Sequence, residues 1–278
     1  MSSTIVVKLG GGADVDRSAI LADVAELVAE GHQVLVVHGG GPEIDRVSRQ
    51  LGVVPRHLTA PNGTRSRHTD DAALDALMLA LCGRVKPRIV DGLAARGVRA
   101  VGLTGLDGPL VQARRKAAIK AVEDGQVRVV RDDRSGRISG VDTRLLELLM
   151  EDGLVPVLSP PAYGGEDGPL NVDADRMAAA VAGALRADAV VFLSDVPGLL
   201  RDPADPTSRI ALLDLSDEEA AGCATGRMRQ KVLAAREALD GGVAHVVIAD
   251  GRRPAPIRAA LAGEGTVVVS EIEIEAVS

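Results

Sequence analysis

The chain alternates short, wholly apolar runs with longer stretches in which apolar residues recur at every third or fourth position. Thr4-Ile5-Val6-Val7 and Val34-Leu35-Val36-Val37 are of the first kind: β-branched and without polar alternation, they predict strands buried on both faces. Between them, Ser18 to Glu30 carries Ile20, Leu21, Val24, Leu27 and Val28 at helical spacing and closes at Gly31. A second helix is predicted from about Pro42, a residue suited to a first helical turn, to Leu51. This β–α–β–α order predicts a parallel sheet with helices on its faces.

Residues 52–68 read as an irregular basic connection, after which Thr69 or Asp70 can cap a helix through about Leu81. Asp91 to Gly97 continues helical, and Ala100 to Leu103 predicts a strand. Leu110 to Val130 predicts a hairpin turning at Glu123-Asp124-Gly125, with Val111, Ile119, Val122, Val127 and Val129 as its apolar positions. A helix over Asp142–Glu151 leads to a strand at Leu154–Leu158, and an alanine-rich helix is predicted from Asn171 to Leu185. Strand Ala189–Leu193, helix Arg227–Leu239 and strands at Val243–Ala249 and Thr266–Val269 follow, and Ile272 and Ile274 alternate enough to extend a strand. No repeat, low-complexity linker or independent second domain interrupts the pattern, so one domain of 278 residues is expected.

Composition narrows the choice of partners. With one Tyr, one Phe and no Trp the core is aliphatic, and stacking of bases on aromatic rings is not available. A net charge of −7 further argues against a nucleic-acid or membrane partner. Cys82 and Cys223 fit neither a disulfide framework nor a zinc site and read as buried thiols in a reducing compartment. The N-terminus has no signal-peptide pattern and no apolar run reaches the roughly 18 residues of a membrane helix, so a cytoplasmic protein is expected.

Candidate chemistry gathers where strands run into glycines. The first strand ends in Lys8-Leu9-Gly10-Gly11-Gly12 and the second in His38-Gly39-Gly40-Gly41. Such a junction is either an ordinary βα turn or, where a helix opens behind it, a cradle of backbone N–H groups for an anion. Glycine permits close backbone approach and positive φ. Neither the Walker A pattern nor Gly-x-Gly-x-x-Gly is present. Lys8 and Lys231, taken singly, are equally compatible with solvated element ends.

Five segments in order carry a resemblance. Besides the two glycine junctions they are Leu170-Asn171-Val172-Asp173-Ala174-Asp175, Leu193-Ser194-Asp195-Val196-Pro197-Gly198-Leu199, and Gly226-Arg227-Met228 with Lys231. Together they resemble the amino-acid kinase superfamily over nearly the whole chain, with Arg227 standing where the last element has a second glycine. The resemblance implies a three-layer αβα sandwich around an open, mainly parallel sheet, with a substrate lobe to about residue 175 and a nucleotide lobe over about 176–278. It implies Lys8 and Lys231 as catalytic cations oriented by Asp175. Gly10, Gly11, Ser194, Asp195, Gly198 and Gly226 would bind phosphate and nucleotide, and Gly40, Gly41 and Asn171 the acceptor. ATP is implied with Mg²⁺ riding on its phosphates, and no metal site in the chain itself.

Within the superfamily, Ser66-Arg67-His68-Thr69-Asp70 is similar to the N-acetylglutamate kinase branch, where an arginine holds the acceptor's α-carboxylate; a guanidinium fork suits that task, and Arg65 is a neighbour able to perform it. An acceptor carboxylate is already ionised at neutral pH, so no general base is needed, and catalysis rests on positioning and positive charge. Arg114, Arg115, Lys116, Lys120, Arg128, Arg131, Arg134 and Arg137 form a basic stretch in an acidic chain. It is either a solvated hairpin or a docking surface for an acidic macromolecule. Gly105-Leu106-Asp107-Gly108, Arg114-Arg115-Lys116, Pro160-Pro161-Ala162 and Pro61-Asn62-Gly63 resemble the [LysW]-aminoadipate/[LysW]-glutamate kinases. Those enzymes act on an amino acid whose amino group is masked by a small acidic carrier protein. That resemblance makes Arg114, Arg115, Lys116 and Lys120 the carrier-docking candidates. The sequence has no obvious helix ahead of the first strand, such as arginine-inhibited hexameric relatives carry, so a homodimer is the expected assembly. Free N-acetylglutamate is the alternative acceptor. A catalytically inactive binding regulator is the reading from another class, and it predicts loss of a residue such as Lys8, Asp175 or Lys231, all of which are present.

Overall fold

The computed structural model describes residues 2–10, 17–61, 63–123 and 125–270. The chain opens with β1 (Thr4–Leu9), α1 (Arg17–Ala29), β2 (Gln33–His38) and α2 (Gly41–Gln50). A short hairpin, β3 (His57–Thr59) and β4 (Arg65–Arg67), precedes a long helical passage of α3 (Asp71–Ala80), a π turn over Leu81–Val85 and α4 (Lys86–Ala94). Next come β5 (Ala100–Gly105), β6 (Val111–Arg115), β7 (Ile119–Glu123), β8 (Gln126–Val130), β9 (Gly136–Val141), α5 (Arg144–Glu151), β10 (Val155–Tyr163) and β11 (Pro169–Leu170). The last third holds α6 (Ala174–Leu185), β12 (Ala189–Ser194), β13 (Leu212–Asp214), α7 (Glu218–Gly222), α8 (Gly226–Asp240), β14 (His245–Asp250), α9 (Pro256–Leu261) and β15 (Thr266–Val269).

One large sheet runs β13-β15-β14-β12-β1-β2-β10, continuing from β10 to β5 and to β6-β9. Its centre is parallel throughout, with β1 between β12 and β2; antiparallel pairs occur at β14–β15, β6–β9 and β10–β11. Successive side chains along a strand enter opposite layers. Thus Ile5, Val7, Val34, Val36, Val191 and Leu193 pack with apolar residues of α1–α4 and α9, such as Ile20, Ile44, Leu77 and Ile257. Val6, Leu35, Val37, Val190 and Phe192 pack on the other side with Leu146, Met177 and Val232 of α5, α6 and α8. The expected αβα sandwich with a mainly parallel sheet is the fold observed. The alternation also aims Lys8, two residues after Val6, at the layer that holds α6 and α8.

Several expectations need correction. The stretch from Leu110 is not a single hairpin: β6 pairs with β9 in the main sheet, while β7 and β8 pair separately around residues 123–126. Among the described residues nothing covers one face of the β7–β8 ribbon, so Val122, Val127 and Val129 are exposed instead of forming a core. Helix α6 begins at Ala174, not Asn171, because the Asn171 backbone is taken up elsewhere: its N–H donates to Arg134 O and its carbonyl accepts from Gly136 N. Asp173 caps the helix instead, its carboxylate accepting from the N–H groups of Asp175 and Arg176 at 2.9 and 3.0 Å. The basic connection at 52–68 contains the β3–β4 hairpin, and α4 ends at Ala94. Both cysteines are half-buried rather than buried. Gly11 and the strand extension at Ile272 and Ile274 lie outside the described residues. Among those residues, no helix is long and apolar enough to cross a membrane.

Candidate active site

Three charged side chains far apart in sequence meet at the C-terminal end of β1. Lys8 Nζ lies 2.7 Å from Asp175 Oδ1, and Lys231 Nζ donates to both oxygens of the same carboxylate at 3.1 and 3.2 Å. The three residues are 6%, 7% and 7% exposed. Asp175 stands in the first turn of α6 and Lys231 in α8, and these helices pack closely enough that a Cβ on Gly183 would lie 3.1 Å from Gly241 Cα. Two ammoniums share the Asp175 carboxylate, and Asp173, the cap of α6, is a further negative charge acting on both.

The protonation states follow from that packing. Burial opposes the Lys8 ammonium, but Asp175 outweighs it and raises its pKa. Burial, and then the like charge of Lys8, push Lys231 down to about 8. Burial works against the Asp175 carboxylate too, yet the two lysines hold it below the ordinary range.

The register pairs Leu9 with His38, so Gly10 after β1 and Gly39 after β2 emerge side by side next to this cluster. At Gly10 a Cβ would stand 2.6 Å from Leu193 O, so the end of β1 presses directly on β12. At Gly40 it would meet Leu81 Cδ2 at 2.7 Å and Val85 Cγ2 at 3.1 Å, the two side chains that the π turn sets against this junction. Packing, not positive φ, therefore requires glycine there: none of Gly39, Gly40 and Gly41 has a left-handed backbone. Gly41 faces open space and begins α2, whose N-terminus carries no side-chain cap. His38 is buried, with Nδ1 at 3.0 Å from Gly39 O, and burial pushes its pKa to about 3, so the ring is neutral.

The residues expected to hold an acceptor form a second group. Arg67 ends β4 and pairs through Nη1 with Asp45 Oδ1 of α2 at 2.6 Å. Asn171 Nδ2 donates to Thr69 Oγ1 at 2.9 Å, two residues beyond Arg67. From Asn171 the chain runs through the cap Asp173 to Asp175, linking the two groups. Thr69 was not singled out in the sequence beyond a capping role, and the cap of α3 is in fact Asp70, which accepts from Ala73 N.

On the other side of β1, Ser194 ends β12 and is buried, and its carbonyl accepts from Gly251 N. Asp195 follows it within hydrogen-bond reach of the Ser194 hydroxyl. Gly198 has φ +148° and packs against Thr266, and Gly226, φ +50°, is the first residue of α8. The basic candidates divide. Arg114, Lys116 and Lys120 are exposed, but the Arg115 guanidinium turns inward and donates to the carbonyls of Asp133 and Arg131, each at 3.1 Å.

A mainly parallel sheet covered on both faces, with buried cations and glycine junctions at its strand ends, defines an α/β protein of the open-sheet class. The chain belongs to the amino acid kinase family, whose model matches residues 3–250. It is 46% identical to the [LysW]-aminoadipate kinase of Deinococcus radiodurans over 95% of this chain and 91% of that one. It is also 46% identical to the [LysW]-aminoadipate kinase of Thermus thermophilus, over 95% of this chain and 99% of that one. Acetylglutamate kinase of Syntrophomonas wolfei is 37% identical, covering 96% and 91%. Among solved structures, N-acetylglutamate synthase of Neisseria gonorrhoeae superposes with a TM-score of 0.76 at 25% identity, covering 97% of this chain and 60% of the synthase.

Proposed function

We propose that this chain is an ATP-dependent kinase acting on the side-chain carboxylate of an N-blocked acidic amino acid. The acceptor is 2-aminoadipate or glutamate borne on a small acidic carrier of the LysW type, and the product is an acyl phosphate. The observation that carries the reading is the Lys8–Asp175–Lys231 cluster, two buried ammoniums sharing one carboxylate at the end of a parallel strand. The identity to the two [LysW]-aminoadipate kinases supports the acceptor.

In this reading the barrier is the approach of two anions, and the chain lowers it with fixed positive charge. Lys8 and Lys231 sit on either side of the transferring phosphoryl group, and Asp175 keeps both side chains aimed at it. Gly10, Gly11, Gly40 and Gly41 offer backbone N–H groups. Arg67 and Asn171 hold the acceptor, in the part of the chain up to about residue 175. Ser194, Asp195, Gly198 and Gly226 hold the nucleotide from the part beyond it. Mg²⁺ enters on the nucleotide, with phosphate oxygens and water as most of its ligands. Arg114, Lys116 and Lys120 meet the carrier, with Arg115 bracing the strand beneath them. The protein works in the cytoplasm as a homodimer.

The second reading, kinase action on free N-acetylglutamate, has the acetylglutamate kinase relative in its favour. Trapping the acyl phosphate with hydroxylamine separates the two. Wild type and an Arg114→Glu/Lys120→Glu variant are given ATP with free N-acetylglutamate, carrier-linked aminoadipate or carrier-linked glutamate. Turnover confined to the carrier-linked acceptors and lost in the variant is the expected result. Efficient turnover of free N-acetylglutamate, indifferent to the variant, would replace this acceptor with the small molecule.

A further inference from the structure

One buried carboxylate lies outside the catalytic cluster and has no cationic partner among the described ion pairs. Asp133 sits in the turn between β8 and β9 and is 1% exposed. Its two oxygens are spent on backbone amides: Oδ2 accepts from Thr69 N at 2.9 Å and Oδ1 from Ser135 N at 2.7 Å. Burying a carboxylate is unfavourable unless hydrogen bonds answer it, and a carboxylate so answered has a fixed orientation. What it fixes is Thr69, itself 0% exposed. The Thr69 hydroxyl accepts from Asn171 Nδ2, and its carbonyl accepts from Arg134 N at 2.6 Å. Asn171 is bound a second time to the same turn, its N–H donating to Arg134 O at 2.9 Å and its carbonyl accepting from Gly136 N at 2.8 Å.

Three segments thus close on Asp133: the exit of β4 with Arg67, the approach to α6 with Asn171, and the turn at the base of the basic β7–β8 ribbon. Arg115, from the stretch expected to meet the carrier, also donates to the Asp133 carbonyl. We infer that Asp133 is a positioning residue for the acceptor: through Thr69 it sets the spacing and orientation of Arg67 and Asn171, and it ties both to the basic ribbon. This rests on Arg67 and Asn171 being the acceptor-holding residues proposed above.

The test compares acceptor and nucleotide kinetics, using whichever acceptor the wild type phosphorylates. Asn at position 133 keeps the shape but offers a single carbonyl oxygen, so one amide loses its acceptor and faces an NH₂ donor. Asp133→Asn is expected to raise the acceptor KM about tenfold while kcat and the nucleotide KM stay within about twofold. Thr69→Val, which removes the acceptor of Asn171 Nδ2, is expected to do the same, and Thr69→Ser to restore the wild-type value. The double variant Asp133→Asn/Thr69→Val should be little worse than either single change, because both break one chain of contacts. An unchanged acceptor KM, or equal rises in both KM values, would overturn the positioning role. If Asp133→Asn does not fold, the Thr69→Val and Thr69→Ser pair decides in its place. A wild type that phosphorylates none of the acceptors removes the reading of Arg67 and Asn171, and this role with it. A working wild type with an indifferent Asp133→Asn removes the role alone.

Discussion

The two halves of the site are built on different physical terms. At the end of β1, charge is held against charge in a buried cluster: two lysines, one aspartate, helices α6 and α8 packed tightly behind them. At the exit of β4, a mostly buried Arg67–Asp45 pair stands beside a web of side-chain and backbone hydrogen bonds running through Thr69, Asn171 and Asp133. The first suits a step that every phosphoryl donor presents alike, since its electrostatics act at full strength in a water-poor pocket. The second suits recognition, where the acceptor carboxylate and amide vary and geometry discriminates among them. Changes at the first should therefore move kcat, and changes at the second acceptor KM.

The largest effect expected on that division comes from the lysines. Lys8→Met or Lys231→Met removes one cation and leaves Asp175 paired with the other, so the fold survives. By analogy with a lost oxyanion donor, kcat in the hydroxylamine assay should drop by roughly 10²–10³, about 3–4 kcal/mol, with acceptor KM little changed. A loss of only a few-fold in kcat, or one expressed mainly in acceptor KM, would erase the distinction between the two groups.

A smaller, graded effect comes from pH. Lys231 is pushed down to about 8 by burial and by Lys8, against 10.5 for a free lysine. The active form is the protonated one, so kcat/KM is full below about 8 and falls tenfold per pH unit as the solution passes above it. The apparent value belongs to the coupled trio, not to one side chain. Arg at position 231 keeps its charge throughout, so Lys231→Arg should lose the alkaline limb whatever its absolute rate. A wild-type profile flat to about pH 10 would mean that Lys231 titrates as an ordinary lysine or that its charge is not used.

The same contrast explains what could be read from the sequence. β1, β2, β12 and β14 are uninterrupted apolar runs, and the helices over them have the 3.6-residue spacing, so the covered parallel sheet was legible. Lys8, Asp175 and Lys231 were legible only by resemblance: no spacing rule relates three residues that meet because β1 lies between β12 and β2, with α6 and α8 crossing its end. The acceptor side was harder. The apolar positions from Leu110 to Val130 marked strands there but carry no information on which strand pairs with which, and β9, the strand that β6 pairs with, was not marked at all. Asp133 gave no signal at all. In sequence it is one acid among arginines; only the fold turns its carboxylate inward onto the Thr69 and Ser135 amides.

The smallest predicted effect tests whether the acceptor side is occupied by the protein itself. Arg67 faces Asp45 at 2.6 Å, with side chains 14% and 28% exposed. If Arg67 is to bind an acceptor carboxylate, Asp45 competes with it for the same guanidinium. A partly exposed pair of this kind is worth about 0–1 kcal/mol, so the competition is weak and the acceptor can win it. Asp45→Asn retains a carbonyl oxygen to steady Arg67 but removes the competing charge. Acceptor KM should then fall by about two- to threefold, with kcat and the nucleotide KM unchanged. Initial-rate measurements at saturating ATP and varied acceptor resolve a change of that size. A rise in acceptor KM would mean that Asp45 serves to place Arg67 rather than to compete for it, and the acceptor side, like the lysine cluster, would then depend on a fixed ion pair.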